Sequence, residues 1–213
     1  MLVRLTDCCR ISGALLIYRR WQTRFRVAES EMTNETARYI LITGAAGTGT
    51  STLAHALAKE LSAPHLEADD FLWLPSNPPY QHLADKTQRG ERLLQEMRSH
   101  GRAVVAGSVM DWGQPLENEF DLVVFLYLPV ELRLERLERR EVERFGQAKP
   151  EFLVWAAQYD EGGVLGRSLG RHQEWLSVRT CAVLRLEGDV SVKDRVLQIL
   201  DALDGLNRSS SVM

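Results

Sequence analysis

The sequence predicts an α/β fold, a doubly wound five-stranded parallel sheet, on three observations. Short apolar runs alternate with stretches whose apolar residues recur every three or four positions, the arrangement expected when helices cover both faces of a parallel sheet. One of those runs enters a glycine-rich turn that leads directly into a helical pattern. The length of 213 residues suits a single domain that buries roughly 70–75% of its unfolded surface.

Composition removes the competing classes. Apolar residues make up 45% of the chain and charged residues 26%, which excludes disorder, collagen and coiled coil as descriptions of the whole. No run approaches the roughly 18 apolar residues of a membrane-spanning helix. The 26 Lys and Arg against 29 Asp and Glu leave a charge of −3, so neither nucleic acid nor a membrane is an expected partner. Cys8, Cys9 and Cys181 are too few and too unevenly spaced for a disulfide framework or a four-ligand zinc site, and a cytoplasmic location is expected.

Residues 1–31 carry six arginines, and Arg19, Arg20, Arg24 and Arg26 follow the apolar run Ile11–Tyr18 instead of preceding it, the reverse of a secretory signal. They read as an N-terminal extension, with Met32 an alternative start. The domain is expected over 32–206. Its strands are Tyr39–Thr43, His65–Glu67, Ala103–Ala106, Leu122–Leu128 and Ala182–Leu186. Helical faces are marked by Leu53, Leu57 and Leu61, by Leu93, Leu94 and Met97, by Leu134, Leu137, Val142 and Phe145, and by Val192, Val196, Leu200 and Leu203. Residues 145–180 contain Gly146, Pro150, Gly162, Gly163, Gly166 and Gly170 around two short helical stretches, which predicts a mobile excursion. Residues 207–213 read as a serine-rich tail.

The first strand runs into Gly44-Ala45-Ala46-Gly47-Thr48-Gly49-Thr50-Ser51-Thr52. A phosphate-binding P-loop reads G-x-x-x-x-G-K-[ST], and Gly44, Gly49 and Ser51 fall at its two glycine positions and its Mg²⁺-ligating hydroxyl. Glycines let several backbone N–H groups converge on a phosphate, and the N-terminus of the following helix adds roughly half a positive charge. Thr50 departs from the motif, since it stands where the lysine reaches the β- and γ-phosphates. The competing reading is a glycine-rich turn that merely packs closely.

Asp69 and Asp70 follow the second strand at its carboxyl end, where ligands bind in open α/β sheets. A helix cap with a first-turn acid is the alternative. The segment Leu74–Tyr80, with Pro75, Pro78 and Pro79 between Trp73 and Tyr80, is either one wall of an acceptor pocket or a surface loop. Ser108 and Asp111 follow the third strand as site candidates or as turn residues. After the fourth strand, Arg133, Arg136, Arg140 and Arg144 share a helical stripe within a segment where five arginines balance five glutamates. A solvated face explains that stripe as well as a site does.

With these motifs the chain resembles the P-loop kinases of nucleoside monophosphates and small metabolites, including adenylate-, cytidylate- and shikimate-kinase-like proteins. The likeness is strongest to bacterial adenylate-kinase-like ATPases whose loop reads G-x-x-G-x-G-T-[ST]-T, as Gly44–Thr52 does, and it spans about Tyr39–Leu206. It implies a P-loop NTPase fold with a helical lid at about 130–178. It also implies an ATP-binding phosphotransferase that uses Mg²⁺ and moves the γ-phosphoryl group to a small-molecule or nucleotide acceptor. A nucleotide-binding regulatory protein or slow ATPase is the alternative, favoured by Thr50 and by the lack of an acid ending the third strand. By the resemblance, Ser51 and Asp69 serve the metal, Asp69 or Asp70 orients or deprotonates the acceptor, and Arg136 and Arg140 clamp the phosphoryl group, followed by Arg167 and Arg171. Gly188 contacts the nucleotide base by its backbone.

Overall fold

A strand covered on both faces must be apolar at every position, and Tyr39–Ile42 is buried throughout. In the computed structural model this strand, β1 (Tyr39–Gly44), lies at the centre of a five-stranded sheet. Residues 37–74, 76–77, 82–162 and 167–210 are described. The chain divides into two units, Met1–Glu35 and Thr36–Met213, and every described residue belongs to the second. The extension 1–31, Met32, Pro75, Pro78, Pro79, Tyr80, Gly163, Gly166 and the final three residues lie outside the described residues.

Along the chain the elements are β1, α1 (Thr50–Glu60), β2 (His65–Glu67), α2 (Ala68–Leu72), α3 (Lys86–His100), β3 (Ala103–Ala106), α4 (Gln114–Glu117), β4 (Leu122–Tyr127), α5 (Val130–Phe145), α6 (Pro150–Ala157), α7 (Leu169–Ser177), β5 (Ala182–Glu187) and α8 (Val192–Ser210). All strands pair in parallel, in the order β2-β3-β1-β4-β5. The five expected strands are the five observed, with small shifts at their ends. Gly44 continues β1 because it stays in register with Leu126. Leu128 leaves β4 because Pro129 follows it and its carbonyl accepts from Arg133 Nε at 3.1 Å.

Alternation along β1 builds two cores. Tyr39 and Leu41 face Leu93 and Met97 of α3, Leu116 of α4 and Trp175 of α7. Ile40 and Ile42 face Leu53 and Leu57 of α1 and Ile199 and Leu203 of α8. Each buried leucine or isoleucine stabilises the sheet–helix contact by about 2 kcal/mol. The chain leaves β1 for β2 and β3 on one side and then crosses from β3 to β4 on the other, and at this switch beside β1 a crevice opens at the carboxyl ends of the strands.

Two expectations about helices are corrected. On α5 only Leu137 of the expected apolar face is fully buried, while Val142 and Phe145 are exposed and Arg133 takes the inward position. Within the expected excursion at 145–180, the described residues Ala156, Tyr159, Ser168, His172, Trp175 and Leu176 are buried. The segment read as a serine-rich tail continues α8 through Ser210. No helix among the described residues is long and apolar enough to cross a membrane.

Candidate functional site

The phosphate loop owes its shape to three glycines with different duties. A Cβ on Gly44 would lie 2.5 Å from the Leu126 carbonyl oxygen, so this position lets the loop leave the sheet beside β4. Gly47 has φ +87°, and a Cβ there would lie 2.7 Å from the Arg133 carbonyl oxygen, which lets the loop touch α5. Gly49, at φ +92°, is the N-cap of α1, and a Cβ there would meet no protein atom within 4 Å. The space in front of Gly49 is therefore open. Inside the turn, Thr48 is fully buried and donates its hydroxyl to the Ala45 carbonyl at 2.8 Å. No charged side chain contributes to the loop itself.

Arg195 braces the loop from behind. Its guanidinium donates to the Thr48 carbonyl at 3.2 Å and to the Gly188 carbonyl at 2.6 Å, joining the phosphate loop to the turn after β5. Burial lowers its pKa. Gly188 has φ +78°, which a non-glycine residue adopts only with strain. The neighbouring Asp189 holds Arg136 in an ion pair. The structure thus brings Gly44–Thr52, Gly188 and Arg136 to one end of the sheet.

On the other side of α1, Ser51 donates its hydroxyl to Glu67 at 3.1 Å. Burial raises the Glu67 pKa, opposed by the Ser51 hydrogen bond and reinforced by the charges of Asp69 and Asp70. His65 Nε2 lies 3.1 Å from Glu67, and burial followed by the nearby His55 lowers the His65 pKa. Asp69 and Asp70 occupy the first turn of α2, both exposed. Asp69 lies 3.8 Å from Arg167, while Asp70 acts electrostatically on His65. The close start of α2 depends on Gly107, where a Cβ would lie 3.0 Å from the Ala68 Cβ. That contact explains why β3 ends in small, uncharged residues.

A narrow recess separates the phosphate loop from α6 and α7. Ala45 and Ala46 form one wall, and Trp155, Ala156, Tyr159 and Arg167 the other. Beneath it, the Tyr159 hydroxyl lies within hydrogen-bonding distance of His172 Nδ1, at 2.9 Å, while His172 Nε2 lies 3.4 Å from the Thr43 hydroxyl at the end of β1. Burial first, then Arg167, lowers the His172 pKa to about 4, and burial raises that of Tyr159. The pair is a neutral imidazole and a neutral phenol.

The remaining candidates fall elsewhere. Arg140 donates to Glu141 at 3.0 Å and lies 5.9 Å over the Phe152 ring, so its contacts join α5 to α6 and do not reach the phosphate loop. Arg133, read from the sequence as part of an outward stripe, is fully buried. It donates to the Leu128 and Ala156 carbonyls, each at 3.1 Å, and to Asp160 at 2.7 Å. Asp111 adopts φ +64° and pairs with Arg171 at 2.7 Å, and Ser108 is buried. Their loop is held by buried Glu117, which accepts from the Trp112 and Gly113 amides and from Trp175 Nε1 at 2.6 Å.

Sequence reasoning missed Glu67, Arg195, Tyr159 and His172 as members of this neighbourhood. Glu67 alone carried a local signal, as the last residue of a strand running toward the loop. Among the described residues, no cluster of three or more His, Cys, Asp or Glu could hold a metal by itself.

The family model AAA_18, described as an AAA domain, matches residues 40–151. A protein of Bacillus subtilis (strain 168) described as uncharacterized protein YqaC is 38% identical over an alignment of 174 residues that covers 77% of this chain and 96% of that one. Shikimate kinase from Acinetobacter baumannii in complex with shikimate superposes with a TM-score of 0.54 at 22% identity, covering 80% of this chain and 95% of its own. A gluconokinase from Sinorhizobium meliloti 1021 does so with a TM-score of 0.53 at 17% identity, covering 82% and 96%. At these identities the two structures share the fold of this chain.

Proposed function

Since the chain belongs to the AAA_18 family of AAA domains and has a P-loop kinase fold, we propose that it is an ATP-dependent phosphotransferase acting on a small-molecule or nucleotide acceptor. One observation carries the reading. The phosphate loop faces open space at Gly49, at the N-terminus of an eleven-residue helix, whose Ser51 hydroxyl is bonded to Glu67. Backbone amides and the helix dipole there attract a polyanion.

The phosphates sit against Gly44–Thr52, and the base lies toward Gly188. Hard oxygen donors suit Mg²⁺, and the Ser51 hydroxyl with Glu67 and Asp69 offers such a set once phosphate oxygens and water complete it. When bound, the ion supplies charge neutralisation at the transferring phosphoryl group. Asp69 or Asp70 orients the acceptor hydroxyl and takes its proton, and Arg136, held by Asp189 beside Gly188, serves as the lid arginine. Positioning and electrostatic stabilisation provide most of the rate enhancement.

Thr50 favours a second reading, a nucleotide-binding regulatory protein that hydrolyses ATP slowly. Incubating the protein with γ-labelled ATP·Mg²⁺ and a panel of nucleoside monophosphates, shikimate, gluconate and simple polyols separates the two. A labelled acceptor supports the phosphotransferase. Label appearing only as inorganic phosphate, whatever is added, supports the regulatory protein.

A further inference from the structure

One guanidinium stands between the two halves of the proposed nucleotide site. Arg195 of α8 is only 4% exposed, and its two terminal nitrogens end on different loops. Nη1 donates to the Thr48 carbonyl at 3.2 Å and Nη2 to the Gly188 carbonyl at 2.6 Å. The planar fork fixes the separation of those two oxygens, which the point charge of an ammonium does not. Asp189 acts on Arg195 through its charge while pairing with Arg136, and Arg195 Nε is buried without a partner among the described residues. A buried donor left unmet costs stability, so the fold alone gives a poor reason for this arginine.

Each of the two carbonyls belongs to a peptide group that matters to the site. The Thr48 carbonyl shares its peptide bond with the N–H of Gly49, the residue that faces open space at the N-terminus of α1. A cation on a carbonyl oxygen polarises the amide and strengthens the hydrogen bond its N–H donates. The Gly188 carbonyl also accepts from the Val190 amide at 3.1 Å, and the Gly188 amide donates to the Tyr127 carbonyl at 3.2 Å, so this turn is held on both sides.

We propose that Arg195 is a positioning residue that couples the base half of the nucleotide site to the phosphate half. A base settling at the Gly188 turn sets, through this guanidinium, the position and polarity of the Gly49 N–H. The inference rests on the nucleotide-binding part of the phosphotransferase reading. It adds that the two halves fill cooperatively, and that a nucleoside makes the loop a better phosphate receptor before any phosphate arrives. A bare polyphosphate meets a loop without that setting.

The test uses the two halves of ATP as separate ligands. Tripolyphosphate·Mg²⁺ is titrated calorimetrically into the wild type, Arg195→Lys and Arg195→Gln, each with and without saturating adenosine. Adenosine should tighten tripolyphosphate binding to the wild type by about 5–100-fold, and in both variants that factor should fall below about twofold. A merely structural arginine would weaken both halves and leave the factor unchanged. Amide spectra give a second readout, since adenosine alone should shift the Gly49 N–H signal in the wild type and not in Arg195→Lys. A wild type in which adenosine changes neither the tripolyphosphate affinity nor the Gly49 signal overturns the inference, and ATP binding then leaves the phosphotransferase reading standing. A factor that survives in the folded variants also overturns it. So does a failure of both variants to fold, because the guanidinium then serves the fold as a whole. A wild type that binds neither ATP nor tripolyphosphate overturns both.

Discussion

The phosphate loop and the α5–α7 segment meet at Gly47 and at the recess, yet they are built on opposite principles. The loop contains no charged residue between Gly44 and Thr52, and its shape comes from backbone geometry at its glycines. The α5 helix carries five arginines and five glutamates, and its best-buried polar residue, Arg133, is an internal strut. Charge count along the sequence is thus a poor guide to where an anion binds. What matters is whether a cation has already been satisfied by carbonyls and carboxylates within the fold, and Arg133 has been satisfied three times.

The sharpest way to break this contrast is to remove that strut. Arg133→Met leaves Asp160, whose Oδ1 is already buried without a partner, and two carbonyls unsatisfied. Chemical denaturation should register a loss of about 3–5 kcal/mol. A loss below about 1 kcal/mol would return Arg133 to the solvated stripe that its spacing suggests.

The buried contact between the two regions is sensitive to acid. Folded, His172 resists protonation down to a pKa of about 4, whereas in the unfolded chain it takes a proton near 6.5. Falling pH therefore favours unfolding. The His172 contribution is complete above pH 6.5 and is lost as pH drops toward 4, where it levels off, a swing of about 3 kcal/mol. Stability measured against pH should fall more steeply over this window for the wild type than for His172→Gln. Parallel curves would mean that the imidazole is already solvated.

Two of the loop's three glycines sharpen the comparison further. Gly47→Ala brings a Cβ to 2.7 Å from a carbonyl oxygen of α5 at a positive φ, and thermal unfolding should show a cost of about 2–3 kcal/mol. Gly49→Ala meets no protein atom, so it carries the strain of φ +92° alone, about 1–2 kcal/mol. Its ATP affinity, read by titration, should fall by more than that strain explains. If Gly49→Ala binds ATP like the wild type, the open space at Gly49 is not the phosphate site. The smallest effect belongs to Arg140→Ala, which breaks a half-buried pair with the adjacent Glu141 and should change the unfolding free energy by less than about 1 kcal/mol.

The three central strands were legible because strands buried on both faces must be apolar at consecutive positions, as Leu122–Tyr127 shows, whereas the edge strands β2 and β5 are only partly buried. The phosphate loop was legible because glycine spacing encodes backbone conformation locally, and Gly49 at φ +92° is where the motif requires a left-handed residue. The polar residues around the loop were not legible in the same way. His172 faces Thr43 across 129 positions of sequence, and Arg195 reaches Thr48 across 147. Nothing local in α7 or α8 marks those residues as buried. On α8 the expected face began at Val192, but Arg195 and Ile199 turn inward, because the carbonyls of Thr48 and Gly188 offer a guanidinium what a valine cannot use.

The sequence by itself determined the parallel α/β sheet, the position of the phosphate loop and the absence of its lysine, since each depends on apolar runs or residue spacing within a short window. Only the tertiary structure decided which arginines are buried struts, as Arg133 and Arg195 are. Desolvating a guanidinium is tolerable only where long-range folding delivers enough carbonyl and carboxylate partners, and those partners come from distant parts of the chain.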